Sequence, residues 1–198
     1  MRPMKSLLLT ALALVAVAVV GPSAEAAPKK KKYHFKITDV LVKPEVKEDV
    51  GKEAQPRVMA MFRKALENDP QLVLDVEGAP DPDKNAAGYR KFLQRKGISG
   101  AYLVTVEVTE ASIEIVPLED KKNAQRIVVS VGIHVLGETI PGRTMGFTGD
   151  GRATVKQEVG MKIRDKDRQF TWDSAAETAV AEALKKCFEK LAKPLKKQ

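Results

Sequence analysis

Three oxygen-bearing residues at alternate positions form the first pattern with metal-binding chemistry. Asp81, Asp83 and Asn85 have the spacing of the first ligands in an EF-hand calcium loop. The rest of the loop is absent, because Ala86 stands where the sharp turn needs glycine and Phe92 where a bidentate glutamate is needed. A turn followed by an aspartate helix cap explains these residues better, so no calcium site is predicted.

Three closely spaced glycines surround Asp150. Gly146, Gly149 and Gly151 do not match a P-loop, which needs Lys-Ser or Lys-Thr directly afterwards, or a dinucleotide fingerprint, which joins a strand to a helix. We therefore interpret these glycines as turn residues. Within residues 143–158, Asp150-Gly151 suits a tight hairpin turn, and one long strand with a glycine-permitted bulge is the alternative.

Histidines and glutamates hold the remaining acid–base chemistry. His34 and His134 each fall in a predicted strand, and no cysteine or acidic residue has the spacing to complete a metal site with them. We expect both to face solvent. Glu107, Glu110 and Glu114 are interpreted as part of the solvent-exposed face of a sheet. The sequence therefore predicts no catalytic residue, no cofactor and no metal, and we expect no enzymatic activity.

The aromatic residues near the last helix are the candidate interaction surface. Trp172, the only tryptophan, is expected to staple the chain onto the first turn of that helix. If it is exposed instead, Trp172 and Phe170 would form a binding patch. The only cysteine, Cys187, excludes an intramolecular disulfide. An inert, partly buried thiol is expected, with an intermolecular disulfide as the alternative.

Hydrophobic periodicity predicts the elements that position these residues. Strands are expected at about 33–42, 71–76, 100–115 and 127–135, and helices at about 53–68, 84–96 and 174–191. Ser174 and Glu177 form a capping box at the start of the last helix, and a phase change near 110–112 predicts a bulge. The predicted fold class is α+β, with a mixed β-sheet packed by about three helices in the order β-α-β-α-β-β-β-α.

The start of the chain has the three parts of an export signal. Arg2 and Lys5 precede an apolar run over 7–20, and Ala24-Glu25-Ala26 predicts cleavage between Ala26 and Ala27. A retained anchor is the alternative. No cysteine stands directly after the apolar run, so we expect a periplasmic or secreted protein that is not a lipoprotein and has no transmembrane span after cleavage. The predicted domains are a signal peptide over 1–26, a basic flexible arm over 27–32, a single α+β domain over 33–193 and a basic tail over 194–198.

Positive charge is concentrated at the two ends of the chain, whose formal net charge is +8. One end has the run Lys29, Lys30, Lys31 and Lys32, and the other has Lys185, Lys186, Lys190, Lys193, Lys196 and Lys197. Solvated charge near disordered ends is the simplest interpretation. Weak contact with anionic lipid or polysaccharide through Lys29 to Lys32 is the alternative. No nucleic-acid partner is expected.

Four segments resemble a group of bacterial envelope domains: the amino-terminal domain of TolB, the curli secretion channel subunit and the outer-membrane activators of penicillin-binding proteins. The segments are Phe62-Arg-Lys-Ala-Leu-Glu-Asn-Asp-Pro70, Gln71-Leu-Val-Leu-Asp75, Gly100-Ala-Tyr-Leu-Val-Thr-Val106 and the Ala-rich helix from Ser174 to Leu191. The resemblance implies a non-enzymatic domain that binds a partner protein, and it transfers no specific residue. The lipobox cysteine of several relatives and their channel-forming insertion are absent.

Three functional hypotheses follow, in order of preference. The first is an exported protein-interaction or assembly module, which predicts an exposed apolar patch. The second is a periplasmic binder of a small ligand or anionic polymer, which predicts that basic residues converge on one surface. The third is a hydrolase, which predicts titratable groups gathered in one cavity.

Overall fold

A computed structural model describes residues 31–121 and 123–193 of the chain. The predicted signal peptide, the Ala26–Ala27 cleavage site, Lys29, Lys30 and the tail over 194–198 lie outside the described residues. Lys32, placed in the predicted arm, is the first residue of a strand. None of the described helices is both long enough and apolar enough to cross a membrane.

The described residues form five strands and three helices. In chain order they are β1 (Lys32–Val42), α1 (Glu48–Glu67), β2 (Leu72–Val73), α2 (Ala86–Arg95), β3 (Ile98–Pro117), β4 (Ala124–Thr139), β5 (Met145–Gly160) and α3 (Asp165–Ala192). The strands form one sheet in the order β2-β1-β3-β4-β5. β1 runs parallel to β2 and β3, whereas β4 is antiparallel to β3 and β5. The predicted fold class and element order are therefore confirmed.

Two cores lie on opposite faces of this sheet. On the first, called the helix face, α1 and α3 bury alternate strand residues such as Phe35, Val104 and Val129. The other face carries a smaller cluster around Phe92 of α2 and Ala101 of β3. Adjacent residues of a strand point to opposite faces, so Ala101 faces away from the aromatic cluster that its neighbour Tyr102 joins. Only one end of this second face is covered by α2.

The glycines around Asp150 lie within β5, so the hairpin turn predicted there is wrong and the long-strand alternative is confirmed. Gly137 pairs with Phe147 but Glu138 pairs with Met145, which leaves Gly146 as the extra residue of a bulge. The interpretation of these residues as turn glycines is wrong, because Gly149 and Gly151 allow α3 to pack closely against β5. Gly149 and Gly151 lie directly under α3, where side chains have no room.

Two helices begin earlier than their sequence patterns predict. α3 begins at Asp165, so the capping box predicted at Ser174 and Glu177 is wrong. At the observed start, the Asp167 carboxylate accepts hydrogen bonds from the backbone N–H of Arg164 at 3.4 Å and from its guanidinium at 2.7 and 2.8 Å. α1 begins at Glu48, which places Pro56 in the helix interior although it was expected in the first turn. Acidic residues in both first turns interact favourably with the positive ends of the helix dipoles, which helps to explain the earlier starts. The bulge predicted near 110–112 is present, at Thr109.

Candidate functional site: an open strand edge

β3 continues well past the strand that pairs with its outer edge. The last pair of β1 and β3 is Val42 with Val108, and the backbone N–H of Lys43 donates to the carbonyl of Val108 at 3.0 Å. On its other side, β3 stays paired with β4 as far as Pro117. One backbone edge of β3, over residues 109–117, therefore has no strand neighbour among the described residues. We call this segment the open edge.

The outermost strands of the sheet are different. β2, at one border, has only two residues. At the other border α3 shields part of β5, because the Glu182 carboxylate accepts a hydrogen bond from the backbone N–H of Arg152 at 2.9 Å. The Lys190 ammonium also donates to the Thr148 hydroxyl. The open edge thus lies inside the strand order and results from the shortness of β1.

The apolar side chains of the open edge continue the row of core residues on the helix face, but they become more exposed to solvent along the strand. Ala111, Ile113 and Ile115 pair with residues of β4 that are buried on the helix face, namely Val131, Val129 and Ile127. Burial decreases along this stripe. Ile115 is 51% exposed, and its neighbour Val116, on the other face, is 43% exposed. An extended segment added beside β3 would cover these side chains.

The other face of the open edge is polar and joins a ladder of cross-strand contacts on β4 and β5. Arg152 reaches over Gly132 to Glu110, with 2.9 Å between Nη2 and Oε2. A Cβ on Gly132 would lie 3.0 Å from the Cβ of Glu110, so a side chain there would crowd this bridge. In the next row the hydroxyls of Ser130 and Thr154 are 2.9 Å apart. Most polar groups in this ladder have partners already.

A row of titratable groups crosses the same face. His134 Nδ1 lies 2.7 Å from Asp150 Oδ1, and Glu107 pairs with His134 from the other side. The hydrogen bond from His134 is the main cause that lowers the pKa of the Asp150 carboxyl. His134 is partly exposed, as expected. Among the described residues, no group of three or more His, Cys, Asp or Glu side chains could hold a metal ion.

His34 does not face solvent, so that prediction is wrong. It is buried on the face that carries α2, and its Nδ1 donates to the carbonyl oxygen of Val73 at 2.8 Å, which ties β1 to the short β2. Burial is the main cause that lowers the pKa of His34. Strand periodicity alone could not reveal this burial, because the cover comes from elements distant in the sequence.

The two aromatic candidates for an interaction surface lie on opposite sides of α3. Trp172 is completely buried in the main core, so it cannot contribute to a surface patch, and it lies inside the helix instead of stapling its start. Phe170 is 62% exposed. Cys187 is fully buried, and desolvation raises the pKa of its thiol to about 12.

The three oxygen-bearing residues before α2 form a turn and a helix cap. The side chain of Asp81 accepts from the backbone N–H of Asp83 at 2.9 Å, and Asn85 Oδ1 accepts from that of Gly88 at 2.8 Å. The cap is therefore the asparagine, whereas an aspartate was expected. Near α2, a cleft of about 450 Å³ is lined by mixed charges, among them Lys32, Asp75, Glu77 and Lys96.

No family model and no curated protein sequence matches this chain. Solved structures similar to it include rare lipoprotein B from Shewanella oneidensis, at 10% identity and a TM-score of 0.37, over 77% of this chain and 91% of that one. Others are a minor lipoprotein from Acinetobacter baumannii (11% identity, TM-score 0.38, 83% and 98% coverage) and a lipoprotein from Neisseria meningitidis (12% identity, TM-score 0.33, 68% and 88% coverage).

These similarities do not confirm the three families resembled at the sequence level. The names of these lipoproteins contradict the expectation that this protein is not a lipoprotein. That expectation depended on the missing cysteine after the apolar run, in a segment outside the described residues. The exclusion is withdrawn.

Proposed function

We propose that this protein is a non-enzymatic interaction or assembly module of the bacterial envelope, and that the open edge takes up an extended segment of a partner protein. The observation that carries the proposal is the stretch from Thr109 to Pro117, where β3 has a strand neighbour on one side only among the described residues. Unpaired backbone N–H and C=O groups in a row form a template for an added strand.

The side chains of the open edge define the chemistry of that segment. On the helix face, Ile113 and Ile115 would pack against apolar side chains of the partner, since cross-strand pairs stabilise a sheet. On the other face, the Glu114 side chain is exposed, so a lysine or arginine opposite it would be favoured. The fitting segment is an extended one in which apolar residues alternate with polar residues that include a basic one.

The same edge has features that oppose pairing between copies of this chain. The bulge at Thr109 and the proline at 117 bound it, and Glu114 places negative charge along it. Bulges, prolines and charges are the devices by which edge strands avoid aggregation. These features favour a partner of complementary charge over a second copy.

A position-specific crosslinking experiment tests the proposal. A photoreactive amino acid replaces Glu114 on the open edge or, as the matched control, Thr154 in the exposed polar ladder of β5. After exposure to an envelope extract, we expect the Glu114 site to capture one discrete partner and the Thr154 site to capture little. Equal capture at both sites, or capture only at Thr154, would contradict binding along β3.

A second candidate is a binder of anionic material through basic residues. Lys31, beside the start of β1, is exposed and lines one cleft with Leu191 and Ala192, at the end of α3, and the exposed Lys193 follows directly.

A further inference from the structure

A small cleft lies on the face of the sheet that carries α2, apart from the open edge. Its volume is about 220 Å³, and residues of β1, β3, α2, the loop before α2 and the turn between β4 and β5 line it. A water molecule takes about 30 Å³ in the liquid, so the cleft has room for a ligand about as large as one amino acid. We call it the histidine cleft, after His34 in its wall.

Two polar side chains in this wall are almost completely buried. His34 is 4% exposed and Tyr89 is 3% exposed. Because Nδ1 of His34 donates to the Val73 carbonyl, the ring nitrogen left for a ligand is Nε2. Burial lowers the pKa of His34 and raises the pKa of Tyr89, so both side chains are neutral near pH 7. The wall therefore has an imidazole that accepts a hydrogen bond through Nε2 and a phenol that donates one.

Arg143 lines the histidine cleft from an uncommon backbone conformation. Its φ of 50° lies in the left-handed region, and residues held there cluster at sites that clamp ligands. Hydrogen bonds hold the turn in place, from the N–H of Arg143 to the Thr139 carbonyl at 3.0 Å and from the N–H of Ile140 to the Ala101 carbonyl at 2.9 Å. The guanidinium lies 3.8 Å from the Glu138 carboxylate, and 56% of the Arg143 side chain is exposed. Most of its N–H donors are thus accessible to a ligand.

Charges of both signs surround the histidine cleft. Lys36 and Arg143 are exposed cations, and Asp81 and Asp83 are exposed anions in the loop before α2. The Asp81 carboxylate already accepts from the backbone N–H of Asp83 at 2.9 Å and lies 3.8 Å from the Lys84 ammonium. Asp83 is therefore the acid better placed to receive a ligand cation. A ligand with one positive and one negative charge matches this set, whereas a simple anion would be repelled by Asp83.

Apolar side chains form the rest of the wall. Leu103, Ile140 and Val76 are partly buried there. Pro80 and Pro82 restrict the backbone of the loop that covers them, because the proline ring fixes φ. A wall of this kind is formed before a ligand arrives, and it favours a ligand with an apolar part.

We infer that the histidine cleft binds a free amino acid with an apolar side chain. The carboxylate of the ligand lies against Lys36 and Arg143. The ammonium donates to Asp83 and to His34 Nε2, and the side chain packs on the apolar wall. This site shares no residue with the open edge, so either proposal can fail without the other.

Amide NMR shifts during titration of the isotope-labelled chain from Ala27 onward test the inference. The probes are leucine, N-acetylleucine, which lacks the ammonium, and leucinamide, which lacks the carboxylate. We expect leucine to shift amides near Lys36, Asp83 and Arg143 with a Kd of about 1 mM or lower. Each of the other two probes lacks one charged contact, so we expect about ten-fold or weaker binding.

Two matched double variants separate this site from general charge effects. The first combines Lys36→Gln with Arg143→Asn, because asparagine tolerates the left-handed backbone. The control combines Lys156→Gln with Arg63→Gln, which remove exposed cations elsewhere. We expect leucine affinity to fall about ten-fold or more in the first variant and to stay unchanged in the control, with similar melting temperatures.

Four results would overturn the inference. They are no leucine-dependent shift up to about 50 mM, equal affinities for the three probes, equal losses in the two double variants, and tighter binding of N-acetylleucine than of leucine. The last result would assign the cleft to the carboxyl terminus of a peptide. A crosslinking result at Glu114 would remain valid in each case.

Discussion

A Cβ atom on Gly151 of β5 would lie only 1.8 Å from the carbonyl oxygen of Ala179 in α3. One step along the same face, a Cβ on Gly149 would lie 2.3 Å from the carbonyl oxygen of Ala183. The helix backbone thus rests almost directly on the strand backbone, and Ala175 and Ala176 continue the buried small-residue face of α3. This close contact fixes α3 on the sheet.

Replacing Gly151 with alanine should destabilise the protein by about 3 kcal/mol or more, since the added methyl group meets helix backbone that cannot move away easily. Urea unfolding would measure the change. The matched control is Gly160→Ala at the end of β5, where no heavy atom lies within 4 Å of the added Cβ. Equal effects of the two substitutions would show that α3 does not pack against β5 this closely.

A substitution at Ile115, the exposed isoleucine of the open edge, should impair partner binding and leave the stability of the fold nearly unchanged. Ile115→Lys should abolish partner capture by the Glu114 crosslinker, because it places a charge where the added strand would pack. Its free energy of unfolding should change by less than about 1 kcal/mol, since the side chain is 51% exposed. Thr154→Lys is the control and should leave capture intact. Capture that persists in Ile115→Lys would argue against packing along this stripe.

The buried cysteine should be chemically inert. Thiolate is the reactive form, and burial raises the pKa of the Cys187 thiol to about 12. In the folded protein, reaction with a thiol reagent at pH 8 should be slower than in urea by at least a hundred-fold. Non-reducing electrophoresis should show no disulfide-linked dimer. Rapid labelling of the folded protein, or such a dimer, would support the intermolecular disulfide instead.

The pH dependence of stability should reveal the titration of His34, the buried histidine that joins β1 to β2. The pKa of His34 is lowered in the folded state, so between that value and the unfolded pKa of about 6.5 the unfolded chain binds more protons. Stability should therefore fall as the pH drops below about 6.5.

A His34→Asn variant places an amide donor at the position of Nδ1, which bonds the Val73 carbonyl, but does not titrate. Urea unfolding of both proteins between pH 5 and pH 8 would measure the difference, and the wild type should lose more stability on acidification. Parallel curves for the two proteins would mean that His34 does not carry the effect.

Local patterns in the sequence predict much of the fold, but not the site. The alternation from Ile127 to Val135 identifies β4, and α2 is predicted to within two residues at each end. The sequence does not show whether β5 is a hairpin or one strand, because its glycines make room for the backbone of α3, which comes later in the chain. The open edge depends on the register of β1 against β3 and on where β1 stops. The amino-acid sequence of neither segment indicates how two distant segments pair in parallel.

The cleft shared by the start of β1 and the end of α3 is hidden for the same reason. Lys31 and Leu191 both line it only because β1 starts where α3 finishes.

Hydrogen–deuterium exchange along β3 tests the central claim most directly. In the isolated protein, the outward amides over 110–116 should exchange rapidly, whereas the amides over 102–108, which lie between β1 and β4, should be protected. When the partner captured at Glu114 is bound, the amides over 110–116 should become protected to a similar degree. If they are already protected in the isolated protein, or stay fast in the complex, strand addition at the open edge is wrong.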